Sequence, residues 1–177
     1  MMQSVREQKT RDQAIVRALY DQVWTRGDLD AVERLVAPRY RVHSDPGDAW
    51  EGQDLDHPTY RDRVAYSRTA FPDLVFTVHD TIGSEGLVAV RWSASGTQLG
   101  ALQQLPATGE RLGFAGQTIY QVEGGCVAGH WQVTDRLGFL QQLPGPVLAG
   151  LLAGERGRGD DPEGNGPRGG DRVDSAA

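Results

Sequence analysis

The sequence of 177 residues has one cysteine, Cys126, and lacks any apolar run of about 18 residues. A single thiol cannot form a disulfide within the chain, and it cannot supply the several thiolates of a cysteine-based zinc site. The missing apolar run excludes a membrane-spanning helix. Residues 1–12 are mostly polar or charged, so we expect no signal peptide and a cytoplasmic protein.

An excess of positive charge is lacking too, because the net charge is −6. Proteins that bind nucleic acids neutralise phosphates with a basic face, so this charge balance argues against a nucleic-acid partner and against a polybasic membrane anchor. The sequence also lacks a glycine-rich dinucleotide or phosphate loop and a Gly-x-Ser-x-Gly nucleophile elbow. We therefore expect no organic cofactor.

Residue types that bind metals are dense in one polar loop only. They are His43, Asp45, Asp48, Glu51, Asp54 and His57. Their spacing matches no metal-binding loop or helix, so we expect no metal ion and interpret the segment as a solvated acidic loop. Such a loop beside a pocket is able to cover the pocket or to supply a second carboxylate.

Composition divides the chain into an N-terminal extension (residues 1–9), a folded domain (residues 10–144) and a tail (residues 145–177). The tail is rich in Gly, Pro, Asp and Arg, and no aromatic residue follows Phe139. A segment of this kind cannot bury enough apolar surface to offset its ordering entropy, so we predict that it is flexible. A short apolar stretch, Val147–Leu152, is the exception and is able to form a helical turn.

Periodicity within the domain predicts three helices and a set of strands. Apolar residues at helical spacing follow the capping box at Thr10, a second helix ends at Pro38, and a third ends near Phe71. Alternating patterns predict strands at 39–44, 74–81, 87–97, 111–123 and 126–134, before a last helical turn at 136–143. Because consecutive hairpins give an antiparallel sheet, the predicted class is α+β: a curved antiparallel sheet wrapped around three helices, cone-shaped with an internal pocket.

Several segments of the domain together resemble a known family. They are Tyr20–Val32, Phe71–Leu74, Val88–Trp92, Gly96–Thr97, Pro106–Gly109 and His130–Leu143. In order and spacing they resemble the SnoaL-like polyketide cyclases, or ester cyclases, of the nuclear transport factor 2-like superfamily. The resemblance covers nearly the whole domain and none of the tail. The superfamily hosts isomerases, hydrolases, cyclases and non-enzymes on one α+β cone.

The resemblance assigns the central chemistry to Asp135. In the cyclases the matching residue is a general acid/base, which removes a proton beside a carbonyl of a polyketide ester and drives an aldol closure without a cofactor. Strand alternation places Asp135 on one face with Trp131 and Val133, where partial desolvation would raise the pKa of a carboxylate and make it a better base. The alternative is that Asp135 only caps the last helix.

Two further positions are implied as ligand contacts. A glutamine at about the position of Gln117 and a histidine two residues later hold the substrate in the cyclases, but here the second position is Ile119. The alternative for Gln117 is a polar residue on the solvent face of the sheet. His43 is a candidate for a hydrogen bond or a proton shuttle, or else it is a surface histidine.

Three more residues are candidates for contacts with the substrate. If Trp131 points into the pocket, His130 on the same strand points outward. Trp24 is expected in the pocket wall. Arg91 is able to orient a carboxylate or bind an acidic substrate, whereas the alternative is that it faces solvent or a dimer partner while Trp92 fills the core.

These observations predict a cofactor-free cyclase of natural-product biosynthesis, which uses Asp135 as an acid/base group on a small apolar polyketide-like or epoxide substrate. The reaction is an intramolecular aldol closure or an epoxide opening, and the second needs another titratable group. The alternative is a non-catalytic ligand-binding or accessory protein on the same fold. Side chains of Asp135 and Gln117 that point into one cavity would favour the enzyme. We also expect a homodimer, since a single curved sheet leaves one face uncovered.

Overall fold

The computed structural model describes residues 2–156. Helix α1 (Met2–Ala18) continues without a break into a π-helical segment, Leu19–Thr25. The wider winding is visible where the amide of Arg26 donates to the carbonyl of Asp21, five residues earlier. This winding buries Leu19, Tyr20, Val23 and Trp24 on one side. The helix begins earlier than predicted, so most of the expected N-terminal extension belongs to α1.

The remaining elements follow the predicted order with two additions. They are α2 (Val32–Leu35), β1 (Val36–Ser44), β2 (Asp54–Leu55), α3 (His57–Ala70), β3 (Val75–Ser84), β4 (Leu87–Thr97), β5 (Arg111–Glu123), β6 (Cys126–Thr134), α4 (Arg136–Leu140) and α5 (Gly145–Arg156). The additions are β2, a two-residue partner of β1, and α5. Helix α3 is capped by Asp56, whose carboxylate accepts from the amide of Thr59.

Six strands form one sheet in the order β2-β1-β6-β5-β4-β3. The pairs of β3 with β4, β4 with β5 and β5 with β6 are antiparallel, as the hairpins predict, but β1 runs parallel to β6. The hairpin pattern could not show this pair, since the two strands lie at opposite ends of the domain. The sheet is curved and does not close, and the predicted α+β class is confirmed.

The core lies between the concave face of this sheet and the helices. It includes an aromatic group in which the ring of Tyr20 lies 5.4 Å from Phe76 and 6.4 Å from Trp92. The cross-strand positions of β4 and β5 contribute buried residues to the same face, because side chains of a strand alternate between its two faces. The described residues contain no helix long and apolar enough to cross a membrane.

The predicted boundary of the tail needs correction. Residues Gly145–Arg156 form α5, and its Val147, Leu148 and Leu151 pack against the core. The apolar stretch at 147–152 is therefore part of a helix of about three turns, and Leu148, Leu151 and Leu152 line the cavity. The rest of the predicted tail, residues 157–177, lies outside the described residues.

Candidate active site

A cavity of about 450 Å³ opens between the concave face of the sheet, α3 and the C-terminal helices. Its wall is mostly apolar and includes six aromatic rings at the sheet and the first helix: Tyr20, Trp24, Phe76, Trp92, Phe114 and Tyr120. A group of polar side chains meets at one side of it: Asp45, Asp48, Arg63, His130, Gln132 and Arg136. An apolar pocket with a few converging polar groups is the usual form of a small-molecule site.

Asp45 is at the centre of this polar group. It follows β1 directly and is only 2% exposed. Its Oδ2 accepts hydrogen bonds from Arg63 Nη2 at 3.0 Å, Gln132 Nε2 at 3.0 Å and His130 Nε2 at 3.4 Å. No side chain among residues 2–156 forms a hydrogen bond with its Oδ1, and Arg136 Nη2 lies 3.9 Å from this oxygen. Three donors therefore fix Oδ2, whereas Oδ1 has lone pairs free to accept a proton.

Arg63 connects Asp45 to a second carboxylate. Its Nη2 also lies 3.0 Å from Asp48 Oδ2, and its guanidinium sits over the ring of Trp24 at 5.2 Å. A buried arginine needs such partners, since an unpaired buried charge is costly. The Nε of Arg63 has no partner within residues 2–156.

A hydrogen-bonded pair fixes the state of His130. The hydroxyl of Tyr40 lies 2.6 Å from His130 Nδ1. Burial raises the pKa of Tyr40, so its hydroxyl keeps the proton, and burial lowers the pKa of His130, so the ring is neutral near pH 7. Tyr40 therefore donates to Nδ1, and the proton on Nε2 points at Asp45.

A second chain of hydrogen bonds orients Gln132. Trp92 Nε1 donates to Thr118 Oγ1 at 2.8 Å, and Thr118 donates to Gln132 Oε1 at 2.8 Å. With its oxygen engaged in this way, Gln132 must direct its NH₂ group at Asp45. Both series of hydrogen bonds end at Asp45, so residues of β1, β4, β5 and β6 determine the orientation of its carboxylate.

The prediction of which face of β6 lines the pocket is wrong. Trp131 and Val133 point to the outer face of the sheet, where they are 39% and 72% exposed, and His130 and Gln132 point into the cavity. Asp135 shares the outer phase and is exposed; its Oδ1 accepts from the amide of Gly138 at 2.8 Å and so caps α4. This is the capping alternative, and Asp135 does not line the described cavity.

The other strand residues predicted for the pocket lie on this outer face as well. Ile119 pairs with Trp131 and Gln117 with Val133 across the strands, and both are exposed. The side chain that β5 directs inward between them is Thr118. Arg91 is exposed and forms an ion pair with Asp80 at 2.6 Å, which is the solvent-facing alternative.

His43 is likewise outside the cavity. Its ring stacks on Trp131 at 4.0 Å, and its Nε2 lies 3.1 Å from Gln121 Oε1. Of the predicted site residues, only Trp24 lines the cavity. Arg63, Gln132 and Arg136 were not predicted as site residues, and His130 was predicted on the wrong face.

The described residues contain no group of three or more His, Cys, Asp or Glu side chains arranged to hold a metal ion. In the acidic loop after β1, Asp45 and Asp48 instead form ion pairs with Arg63. The only sequence signal for this arrangement was the expectation that the loop is able to supply a carboxylate to a neighbouring pocket.

The family model described as SnoaL-like polyketide cyclase matches residues 14–143. The chain belongs to this family, as the resemblance predicted. Membership supports a cyclase-type role. Among proteins with curated descriptions, none matches the sequence.

Solved structures show the same fold. A candidate polyketide cyclase from Acidithiobacillus ferrooxidans is 37% identical, over 75% of this chain and 94% of its own, with a TM-score of 0.70. IdmH, a candidate polyketide cyclase from Streptomyces antibioticus, is 27% identical, over 74% of this chain and 96% of its own, with a TM-score of 0.63. TsrD from Streptomyces laurentii is 25% identical, over 76% and 95%, with a TM-score of 0.66.

Proposed function

We propose that the chain is a cofactor-free cyclase of polyketide-type natural-product biosynthesis, in which Asp45 is the proton acceptor. The observation that carries the proposal is the asymmetric environment of this carboxylate. Oδ2 is held by three donors, whereas Oδ1 has only the distant Arg136 beside an aromatic cavity. A general base needs a fixed position and a free lone pair, and Asp45 has both.

The aromatic wall supports a flat, mostly apolar substrate. The rings of Tyr20, Trp24 and Phe76 provide stacking and edge contacts for such a molecule. A substrate that fills the cavity displaces water from around Asp45. Electrostatic interactions with the carboxylate then strengthen, since the local dielectric falls.

An intramolecular aldol closure fits one base with neighbouring donors. Asp45 removes the proton beside a carbonyl, the enolate carbon attacks a second carbonyl of the same molecule, and the alkoxide regains the proton from Asp45. His130 and Gln132 act as positioning residues, because each donates to Oδ2 of Asp45 and so holds the carboxylate in place.

One observation favours an epoxide opening as a second candidate. The same Nη2 of Arg63 contacts Asp45 and Asp48, so two carboxylates share one cation at the cavity. If one of them holds a proton, it serves as the acid on the epoxide oxygen while the other activates the attacking hydroxyl or water.

The non-catalytic alternative predicts a helix-capping Asp135 and an apolar pocket without converging polar groups. The first feature is present, and the outward Gln117 agrees with it. The second does not describe this cavity, in which two carboxylates, an imidazole and two guanidinium groups converge.

The test uses 2-tetralone, a small aromatic ketone with an acidic C–H beside its carbonyl. Proton NMR in D₂O follows loss of the C1 signal above the buffer rate. We expect the wild-type protein to accelerate exchange and Asp45→Asn to lose the acceleration. Asp80→Asn on the outer face is the matched control and should exchange like wild type. Equal exchange by Asp45→Asn and wild type would refute the assignment of Asp45.

A further inference from the structure

Arg136 is the one cavity arginine whose guanidinium has no hydrogen-bond acceptor within residues 2–156. It is the first residue of α4, its side chain is 50% exposed, and it lines the cavity. Its Nη2 lies 3.9 Å from Asp45 Oδ1, too far for a hydrogen bond. Arg63, by comparison, is engaged with both Asp45 and Asp48.

The position of this guanidinium is built by two neighbouring elements. Gly47 has a φ of +84°, and a Cβ there would lie 2.9 Å from Arg136 Cζ, so a residue with a side chain would displace the guanidinium. Gln103 Nε2 donates to the carbonyl of Gly47 at 2.6 Å and ties down the loop. Asp135 caps α4 and thereby fixes the helix start from which Arg136 extends.

We infer that Arg136 binds the substrate carbonyl oxygen beside the C–H group that Asp45 deprotonates, and that it holds the enolate oxygen as it forms. This inference rests on the proposed function. The acceptor Oδ1 and the donor Nη2 are separated by about the distance needed to contact the C–H and the oxygen of one carbonyl unit. Arg136 is thus a second catalytic residue, in direct contact with the reacting group.

The charges of the step balance across these two residues. The C–H bond breaks, its proton moves to Asp45 Oδ1, and its electron pair becomes the enolate, with the charge largely on oxygen. Asp45 becomes neutral as the substrate oxygen becomes negative, so the negative charge nearest to Arg136 moves from the carboxylate to the enolate. A donor already in place where charge develops stabilises the transition state more than the ground state.

The first test measures binding of an enolate mimic, 4-nitrophenol, whose phenolate absorbs visible light. Asp45→Asn provides the background, since the amide stands for the protonated carboxyl group. We expect this variant to bind the phenolate in preference to the phenol, seen as a rise in phenolate absorbance at fixed pH. Adding Arg136→Met should weaken phenolate binding by about 10- to 100-fold, the range for a hydrogen bond to a charged group.

The controls separate charge from fold and from general binding. Adding Arg91→Met, which removes an arginine from the outer face, should leave phenolate binding unchanged. Adding Arg136→Lys keeps the charge and should retain part of the binding, and circular dichroism checks that each variant is folded. Equal phenolate binding with and without Arg136, or no phenolate binding by Asp45→Asn, overturns the inference.

Exchange of 2-tetralone then distinguishes a wrong role for Arg136 from a wrong role for Asp45. We expect Arg136→Met to lower the exchange rate at saturating ketone by about 10²–10³-fold, as loss of an oxyanion donor does. Full exchange by Arg136→Met with none by Asp45→Asn removes Arg136 and leaves the proposed function standing. Full exchange by Asp45→Asn removes the proposed function itself.

Discussion

The hydroxyl of Tyr40 donates to Nδ1 of His130 across 2.6 Å, inside the core of the domain. This contact determines which imidazole nitrogen carries the proton. Because Nδ1 is the acceptor, Nε2 presents its proton to Asp45. The hydrogen bond from His130 to Asp45 therefore depends on Tyr40, which does not line the cavity.

Tyr40→Phe should release this control. The variant leaves a buried acceptor unpaired, and we expect a loss of about 1–3 kcal/mol in the free energy of unfolding. Nitrogen NMR of His130 should change from one fixed tautomer to a mixture. Tyr66→Phe, which removes a hydroxyl from an exposed contact with Gln103, should leave the His130 signals in place. A single unchanged tautomer in Tyr40→Phe would contradict the assignment.

The buried His130 also predicts how stability depends on pH. Burial lowers its pKa below 6.5 in the folded state, so the unfolded chain takes up this proton first. The contribution of neutral His130 to the free energy of unfolding is fully present above about pH 6.5, and it is lost as the pH falls through the lowered pKa. Asp45, Asp48 and Arg63 are the charged groups that act on the ring. Urea unfolding between pH 5 and 8 should show the decline.

Two histidine variants check the source of this decline. His130→Gln should remove the part of the decline that His130 causes, so the free energy of unfolding should vary less with pH between pH 5 and 6.5. His79→Gln should not, because His79 is exposed on the outer face. The lowered pKa values of Asp54, Asp56 and Asp73 act in a separate, more acidic window. An unchanged slope in His130→Gln would show that another group is responsible.

Helix α5 predicts that truncation at two positions has different results. A chain that ends at Arg156 should keep the melting temperature of the full chain. A chain that ends at Pro144 loses the contacts of Leu148 and Leu151 with the core, about 2 kcal/mol for two partly buried leucines. Its melting temperature should fall by about 4–8 °C in a differential scanning calorimeter. Equal melting temperatures would show that α5 is dispensable.

The outer face of the sheet predicts a homodimer. Ile82, Ala89, Ile119 and Trp131 occupy aligned cross-strand positions and form an apolar row, with Arg91 and Asp80 beside it. Three of the four row residues are exposed large hydrophobic side chains, which a second copy of the chain would cover. Light scattering should give twice the monomer mass for wild type and the monomer mass for Ile119→Arg. A monomeric wild-type protein at micromolar concentration would contradict this.

Periodicity predicted most of the fold, since the hairpins and the helix at 57–70 are specified by local patterns. It could not choose the inner face of β6. Alternation shows that Trp131 and Val133 share a face, but not whether that face is covered. The more apolar set pointed outward, and the polar set with His130 pointed inward. The hydrophobic pattern alone therefore favoured the wrong choice.

The group of polar side chains around Asp45 could not be predicted from the sequence, for a related reason. Arg63, His130 and Gln132 lie 18, 85 and 87 positions after Asp45. No local motif joins residues so far apart, and each alone has an ordinary surface interpretation. Only the parallel pairing of β1 with β6 brings Asp45 beside His130 and Gln132.

Comparison of two aspartate variants in one exchange assay tests the central claim most directly. Asn preserves the cap at Asp135, whereas Ala there should cost about 1 kcal/mol in stability. With 2-tetralone in D₂O, Asp45→Asn should exchange about 10²–10⁴-fold more slowly than wild type, the range for loss of a general base, while Asp135→Asn keeps the wild-type rate. Wild-type exchange by Asp45→Asn together with a collapse in Asp135→Asn would return the proton transfer to Asp135 and contradict the account.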